Sequence, residues 1–219
     1  MKKTIVCIFA HPDDESFGPS GTIYKLAKEN DVYILCATRG EAGQNHSDKT
    51  KKLAQMRAGE LRKSAKLLGA KHVYFLGFID GTLSNSLYHA IADKIEKHLK
   101  RLKPEKILTF EPHGISGHID HIVVSRVSTF VFHKLPFIKT IMYHCLLDKI
   151  ASHIGKNYFI HFGEGYKKSE INKIVDVGDV WDIKVKAMYF HKSQRHDADR
   201  ILESRKNLPR EEYFLVKNK

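Results

Sequence analysis

The sequence predicts an α/β fold, in which helices cover both faces of a mostly parallel β-sheet. Up to residue 148, apolar runs rich in β-branched residues alternate with segments of helical spacing. Most of these runs are continuously apolar, which is typical of strands buried on both faces. Strands that alternate with helices are the pattern of parallel neighbours joined by right-handed crossovers.

Six strands and five helices are predicted. The strands cover residues 4–9, 32–37, 73–76, 106–110, 140–146 and 173–177, and a short apolar run follows at residues 213–216. The helices cover residues 21–29, 49–68, 86–102, 121–133 and 180–191. Gly69 ends the second helix and Pro104 follows the third, as expected of helix stop signals. Between residues 148 and 168 we predict only a polar stretch.

The composition is that of a globular protein. With 219 residues, 42% of them hydrophobic, the chain can bury one substantial core, so we expect residues 1–219 to form a single domain. The net charge of +12 fits either an acidic partner, such as nucleic acid, or a lysine-rich solvated surface. The lysines are scattered along the predicted helices instead of forming one block, which favours the solvated surface.

Cysteine usage and the N-terminus predict a cytoplasmic protein. Cys7, Cys36 and Cys145 each lie in an apolar run, and an odd count without a CxxC pair fits reduced, buried thiols. The first apolar run, residues 4–10, is too short for a secretory signal or a membrane span. We therefore expect cytoplasmic localisation and no membrane span.

A histidine and three carboxylates follow the first strand directly, in the segment AHPDDE at residues 10–15. Ligands of open α/β sheets bind at the carboxyl ends of the strands. Adjacent acids repel one another unless a positive charge neutralises them, and a divalent metal supplies that charge. Imidazole with carboxylate is a donor set suited to zinc. The alternative is that Asp13 or Asp14 only caps the following helix.

A second polar cluster, HIDH at residues 118–121, follows the fourth predicted strand. One histidine can bind metal while the other stays available for proton transfer, and the aspartate can hold the free imidazole in its working tautomer. The alternative is a polar turn or a helix start. Because both clusters follow strands at the same edge of the sheet, we expect them to meet.

The predicted helix 49–68 carries Arg57, Glu60 and Ser64 in the middle of its apolar stripe. Charges on such a face are unusual. Two explanations stay open: an ion pair between Arg57 and Glu60 within the helix, or an Arg57 that points into the cleft. The loop at residues 38–43 and Asp80 could each be a plain turn or a substrate contact, and we expect substrate identity to depend on the loop at residues 41–50 and on the stretch after Asp148. The remaining histidines, His46 and His144 among them, show no ligand-like spacing.

Taken together, these segments resemble the PIG-L/LmbE-like deacetylase family. Its hallmark AHPDD[ED] is present at residues 10–15 and its HxDH at residues 118–121. Weaker similarities follow the same order along the chain: TRGE at residues 38–41, RxxE at 57–60, LG at 68–69 and HxSQ at 191–194. The resemblance therefore covers nearly the whole chain.

The resemblance implies a Rossmann-like fold and the hydrolysis of an N-acetyl group from an amino sugar, typically an N-acetylglucosamine (GlcNAc) conjugate. It also implies a Zn²⁺ ion, with another divalent ion such as Fe²⁺ as the alternative. By motif position, the metal ligands would be His11, Asp14 and His121. The partner would be a small-molecule amino sugar conjugate, and a homo-oligomer is compatible with the sequence.

The same resemblance implies roles for the remaining polar residues. Asp13 would be the general base, and His118 would stabilise the oxyanion or protonate the leaving amine. Asp120 would orient His118. Arg57 and Asp80 match positions that contact sugar hydroxyls, which favours the cleft-facing orientation of Arg57.

Three alternatives to N-deacetylation each fit part of the sequence. A zinc amidase could remove a larger acyl group from the same kind of conjugate. A basic nucleic-acid-binding domain fits the net charge, but the chain has no zinc-finger spacing, RNP-like aromatic motif or glycine-rich phosphate loop, so we expect no nucleic-acid partner. A metal-binding protein without catalysis does not need the additional aspartate and histidine.

Overall fold

The computed structural model describes residues 2–43, 52–156, 158 and 160–219. Three sequence predictions lie partly or wholly outside these residues: the start of the helix predicted at residues 49–68, most of the loop at residues 41–50, and His46.

The described residues form one seven-stranded sheet. Its strands are β1 (Thr4–Phe9), β2 (Asp31–Cys36), β3 (His72–Phe75), β4 (Lys106–Phe110), β5 (Thr140–Cys145), β6 (Lys173–Asp176) and β7 (Glu211–Asn218). Their order is β3-β2-β1-β4-β5-β7-β6. The first five strands are parallel, whereas β7 runs antiparallel to both β5 and β6. The prediction of a mostly parallel α/β sheet is confirmed, and each predicted strand is present within two residues of its expected limits.

The five predicted helices are present, and the described residues form four further α-helices that the sequence did not indicate. The α-helices of the described residues are α1 (Asp14–Phe17), α2 (Ser20–Glu29), α3 (Leu53–Leu67), α4 (Tyr88–Leu102), α5 (Gly114–Gly117), α6 (Ile119–Lys134), α7 (Asp148–Gly155), α8 (Trp181–Phe190) and α9 (Arg195–Ser204). The polar stretch predicted between residues 148 and 168 is wrong in part, because α7 lies within it. None of the described helices combines the length and the apolar composition needed to cross a membrane.

Burial explains why these segments take these positions. In β1 every residue from Ile5 to Phe9 is buried, as expected for a strand covered on both faces. In α4 the buried residues Ile91, Ile95 and Leu99 recur every four positions and form the face that packs towards the core. The helices pack in two groups, α2 and α3 with α8, and α4 with α6.

The strand order indicates which edge of the sheet is expected to bind ligands. The chain leaves β1 towards β2 and later returns to β4 on the opposite side of β1, so the order reverses between β1 and β4. In doubly wound sheets ligands bind at the carboxyl ends of the strands at this switch point. The segment 10–15 follows β1, and the segment 111–121 follows β4.

A buried ion pair joins α8 to the last strand. Lys184 and Glu212 are both fully buried, with Nζ 2.8 Å from Oε1. Glu212 also accepts hydrogen bonds from the backbone N–H groups of Gly21 and Thr22. At the start of α2 these groups have no carbonyl acceptor within the helix. Lys184 donates further to the Gly18 carbonyl and to Ser20 Oγ. The pair therefore fixes the segment that follows the first polar cluster.

Lys184→Ala is expected to lower the free energy of unfolding by about 3–5 kcal/mol, because it leaves the Glu212 carboxylate buried without its cation. Urea unfolding measures the change. The matched control is Lys186→Ala, which removes an exposed lysine from the same helix and should have little effect. Equal stability of the two variants would contradict a structural role for the pair.

Stability should also depend on His144, at the end of β5. The side chain is buried, and burial lowers its pKa from 6.5 to about 3. Below pH 6.5 the unfolded chain therefore binds a proton that the folded chain does not bind until about pH 3. The free energy of unfolding should fall with decreasing pH through this window, by up to about 1.4 kcal/mol per pH unit. Urea unfolding at several pH values should show a weaker dependence for His144→Gln.

Candidate metal centre and active site

The two polar clusters meet at the carboxyl edge of the sheet. His11 Nδ1 lies 3.1 Å from His121 Nε2, and Asp14 Oδ1 lies 3.3 Å from the same His121 nitrogen. His11 Nδ1 and Asp14 Oδ2 are 3.8 Å apart. Ligand atoms at about 2.0–2.1 Å from a tetrahedral zinc ion are about 3.3 Å from one another. The spacing of these donor atoms therefore fits a single divalent metal.

Neighbouring groups orient both imidazoles for this purpose. His11 Nε2 lies 2.9 Å from Asp80 Oδ1 and 3.1 Å from Asp120 Oδ2, so it carries the ring proton and leaves the Nδ1 lone pair available. His121 Nδ1 lies 3.1 Å from the Gly114 carbonyl, which leaves Nε2 as the ligand atom. Hydrogen bonds of this kind from the second nitrogen are typical of metal-binding histidines.

The stacking of Phe110 fixes His121 further. The two rings are parallel within 2°, with centroids 4.2 Å apart. Phe110 is the last residue of β4, so the strand itself sets the orientation of the imidazole.

Two other sets of side chains could hold a cation. Potential ligand atoms of His11, His118 and His121 lie within 4.8 Å of one another, and so do those of His11, Asp80 and Asp120. All three sets share His11, so the structure brings six of the eight predicted site residues around one imidazole.

Helix capping does not explain the acidic cluster. Helix α1 begins at Asp14, and neither its N-cap residue Asp13 nor any other side chain caps it. Asp14 Oδ2 instead accepts hydrogen bonds from the backbone N–H groups of Ala10 and His11, which precede the helix. The carboxylate is thus held over the end of β1, beside the two histidines.

Asp13 occupies a strained position next to this centre. Its φ of 122° lies in a region that residues with a Cβ rarely adopt. Arg57 Nη2 donates to Asp13 Oδ2 at 2.8 Å. Burial raises the pKa of the Asp13 carboxyl to about 6, although the Arg57 guanidinium opposes the shift. A carboxylate with this pKa can exchange protons near neutral pH.

Arg57 is directed towards the centre, so of the two explanations left open the ion pair with Glu60 within helix α3 is not formed. Its guanidinium donates to Asp13 and to the carbonyls of Pro12 and Gly40, each at 2.8 Å. Glu60 instead accepts from the Ser193 backbone at 2.9 Å and from its hydroxyl at 2.6 Å. The two charges on the apolar face of α3 therefore bind two different segments.

The predicted role of Asp120 needs a correction. Its carboxylate contacts His11, not His118, and accepts from the backbone N–H groups of Gly81 and Leu83. His118 is the N-cap of α6, and its Nδ1 accepts from the Asp120 backbone N–H at 3.2 Å. Burial lowers the pKa of His118. We therefore expect a neutral His118 whose proton is on Nε2.

Asp80 lies in the loop after β3, and its carboxylate is shared among three neighbours. Besides His11, it accepts from the Ala42 backbone at 3.1 Å and lies 3.8 Å from Arg57 Nη1. The predicted contact of Arg57 and Asp80 with sugar hydroxyls stays a prediction. In the structure both side chains also hold other candidate residues in place: Arg57 contacts Asp13, and Asp80 contacts His11.

Sequence reasoning missed the roles of two buried glutamates. Glu15 Oε2 accepts from the backbone N–H of Asp13 at 3.1 Å, while Oε1 lies 2.7 Å from His191 Nε2. Glu111 accepts from the backbone N–H groups of His113 and Ile115 and thereby holds the loop that carries the second cluster. The only signal was position, because Glu15 ends the first polar cluster and Glu111 directly follows the strand that precedes the second.

Glu15→Gln is expected to lower kcat by about 10- to 100-fold with little change in KM, because the strained Asp13 backbone loses a charged acceptor. Steady-state kinetics measures the split between the two constants. Glu29→Gln, at the exposed end of α2, is the matched control and should behave like the unaltered protein. If kcat is the same for both variants, Glu15 does not position Asp13.

These side chains line a cleft of about 580 Å³. The candidate metal ligands and Asp13, Arg57, Asp80 and His118 all contribute to its surface. Apolar side chains also line the cleft, among them Ile154, Phe162 and Ile201. A cleft of this size and mixed polarity is typical of a small-molecule site.

Known proteins that resemble this chain include several deacetylases. The model of the PIG-L family, described as GlcNAc-PI de-N-acetylase, matches residues 6–132. The probable N-acetyl-alpha-D-glucosaminyl L-malate deacetylase 2 of Bacillus cereus is 29% identical over 89% of this chain and 84% of its own length. The diacetylchitobiose deacetylase of Thermococcus kodakarensis is 30% identical over 88% of this chain and 70% of its own length.

Solved structures agree with these matches. The N,N'-diacetylchitobiose deacetylase from Pyrococcus horikoshii superposes with a TM-score of 0.74 at 25% sequence identity, covering 99% of this chain and 84% of that chain. The family match extends over more than half of the residues and includes both polar clusters. The chain therefore belongs to the PIG-L family of de-N-acetylases and is a hydrolytic enzyme.

Proposed function

We propose that the protein is a zinc-dependent N-deacetylase of a GlcNAc conjugate, with residues 1–219 acting as one catalytic domain. The observation that carries this proposal is the position of Asp13, a buried carboxylate with a raised pKa, beside donor atoms spaced for one metal ion. A metal-binding protein without catalysis does not need such a base.

His11, Asp14 and His121 are the proposed ligands because one donor atom of each faces the other two and is not held by a backbone group. Asp14 binds backbone N–H groups through Oδ2 and leaves Oδ1 beside His121 Nε2. In the set with Asp80 and Asp120, both Asp120 oxygens already accept from backbone N–H groups. Two imidazoles with one carboxylate form a catalytic zinc set, although Fe²⁺ accepts similar ligands.

The residues around the ligands perform the proton transfers. A divalent ion in this position would polarise the acetyl carbonyl and lower the pKa of a coordinated water. Asp13 accepts a proton from the attacking water, while Arg57 holds Oδ2 and keeps the carboxylate in place. Asp13 then returns the proton to the amine nitrogen as the C–N bond breaks.

His118 stabilises the negative charge that develops on the acetyl oxygen. Its Nδ1 is engaged by the Asp120 backbone N–H, so the neutral ring donates from Nε2. Because a donor aimed at the developing charge acts mainly in the transition state, it should affect kcat more than KM.

The names of the relatives suggest the substrate class. They act on N-acetylglucosaminyl malate and diacetylchitobiose, which share an N-acetylglucosamine unit and differ in the group attached to it. We infer that this chain also accepts an N-acetylglucosamine unit. The alternative, removal of a larger acyl group, predicts a product other than acetate.

The test is to measure acetate release from a panel of GlcNAc conjugates with the zinc-loaded protein, and to repeat it with Fe²⁺ and after chelation. We expect metal-dependent release of acetate and of the free amine. Release of a larger acid from N-acyl analogues at a higher rate would favour the alternative. Turnover that is unaffected by chelation would contradict the metal-dependent mechanism.

A further inference from the structure

The segment HKSQ at residues 191–194 carries a motif that the proposed reaction does not use. It joins α8 to α9 and lies outside residues 6–132, which the family model matches. Three of its four side chains are polar and buried, namely His191, Ser193 and Gln194, and the first two are 0% exposed. Because polar groups at this depth need hydrogen-bond partners, the partners indicate what the segment does.

His191 binds the glutamate that holds the backbone of Asp13. The side chains of His191 and Glu15 are both fully buried, and Nε2 of the imidazole donates to Glu15 Oε1 at 2.7 Å. The other oxygen of this carboxylate, Oε2, accepts from the Asp13 N–H at 3.1 Å. Within the described part of the chain, Glu15 is the group to which this ring is bonded, because its buried Nδ1 has no partner there.

The contact between His191 and Glu15 is charge-assisted. Burial opposes protonation of His191, but the nearby Glu15 carboxylate raises the pKa of the imidazole above its usual value. Hydrogen bonds that involve ionised groups are shorter and stronger than those between neutral groups. The contact therefore fixes the orientation of the Glu15 carboxylate, and with it the oxygen that faces Asp13.

The backbone of Asp13 needs this support. Its φ of 122° is strained for a residue with a Cβ, and strained conformations persist only where the surrounding contacts determine them. The Asp13 carbonyl accepts from Ser16 and Phe17, which lie in the same turn. The contact of the N–H group is different, because through Glu15 it depends on a histidine 176 positions later in the chain.

The HKSQ segment supports the side chain of Asp13 by a second path. Ser193 donates to the two Glu60 oxygens, from its N–H at 2.9 Å and from its hydroxyl at 2.6 Å. Glu60 lies about one turn after Arg57 on α3, and Arg57 Nη2 donates to Asp13 Oδ2 at 2.8 Å. The segment is therefore connected to both the backbone and the carboxylate of one residue.

We propose that His191 is a positioning residue for the general base and acts through Glu15. The inference rests on the proposed function, in which Asp13 accepts the proton of the attacking water. His191 is fully buried and is not among the residues that line the cleft, so it contacts neither the substrate nor the metal site. Its loss should therefore lower kcat, while KM and metal content stay close to those of the unaltered protein.

The first test compares His191→Gln with His191→Asn. The glutamine amide nitrogen can take the position of Nε2 and donate to Glu15, whereas the asparagine is shorter by one methylene group and does not reach it. We expect His191→Asn to lower kcat by about 10- to 100-fold and His191→Gln to retain most of it. Lys192→Gln is the matched control, because Lys192 is exposed in the same turn, and it should leave kcat unchanged. Equal kcat in the two His191 variants would overturn the proposal.

The second test is a double-mutant cycle with Glu15→Gln, since a residue that acts through Glu15 loses its effect once that contact is gone. In the Glu15→Gln background, His191→Asn should lower kcat by no more than about twofold. Effects on kcat that multiply would overturn the role of Glu15 as the intermediate. A lower free energy of unfolding in His191→Asn without a fall in kcat would show a purely structural role. If this variant does not fold, His191→Met, which keeps the volume without the donor, takes its place.

Failure of this inference differs from failure of the proposed function. If the unaltered protein releases acetate and His191→Asn retains its kcat, the function stands and the positioning role is wrong. If no conjugate releases acetate, the proposed function fails, and crystal structures of the two His191 variants still test the contact. Asp13 should keep its φ near 122° in His191→Gln and change to a negative φ in His191→Asn. An unchanged φ in both variants would then overturn the inference.

Discussion

Asp13→Asn is expected to lower kcat for acetate release by about 10²- to 10⁴-fold, the usual contribution of a general base, while the protein retains its metal. The asparagine is nearly isosteric, so Arg57 still finds an oxygen acceptor at this position, but the amide cannot accept the proton of the attacking water. The loss should appear in kcat with little effect on KM, because proton transfer acts in the transition state. Steady-state kinetics and metal analysis of the same sample measure both quantities.

Asp93→Asn is the control for the change in charge, since Asp93 is exposed on α4 and should leave kcat unchanged. Full activity of Asp13→Asn would contradict the base assignment. Loss of activity together with loss of metal would instead place Asp13 among the ligands.

His121→Ala is expected to abolish both metal binding and activity. It removes one of three proposed ligands together with the ring that stacks on Phe110, and the remaining His11 and Asp14 cannot form a closed site. Metal content after dialysis should fall from about one ion per chain to a small fraction of that value. Activity should fall at least as far as in Asp13→Asn, and excess metal should restore little of it.

His133→Ala provides the matched control, because His133 is exposed near the C-terminal end of the same helix, α6, whereas His121 lies in its first turn. This variant should keep its metal and its activity. If His121→Ala retains a full complement of metal, the alternative set of His11, Asp80 and Asp120 becomes the preferred site.

Strand positions are predictable from this sequence because continuous burial leaves a strong local signal. The first five strands are apolar runs bounded by turns or helices, and most of their residues are buried. Helix α9 lacks such a signal: Ala198 is its one fully buried residue, and its first turns are rich in charge. Its position depends on contacts with α8 and α7, which no local pattern reveals.

The site shows the same limit. The strand positions predict that the two clusters meet at one edge of the sheet. They do not predict which side chain Asp120 contacts. In sequence Asp120 lies between two histidines, but the N-terminal turn of α6 directs its carboxylate towards His11 and the loop after β3. This proximity arises from the tertiary fold and leaves no signal in the local sequence.

The cleft draws on two successive parts of the chain. Its metal side comes from residues 11–121, within the match to the family model, and its other side comes largely from residues 144–205. A mutational library restricted to the second part can therefore change which conjugates are accepted while every proposed metal ligand stays in place. For enzyme engineering, selectivity and chemistry become separate design variables in one small protein.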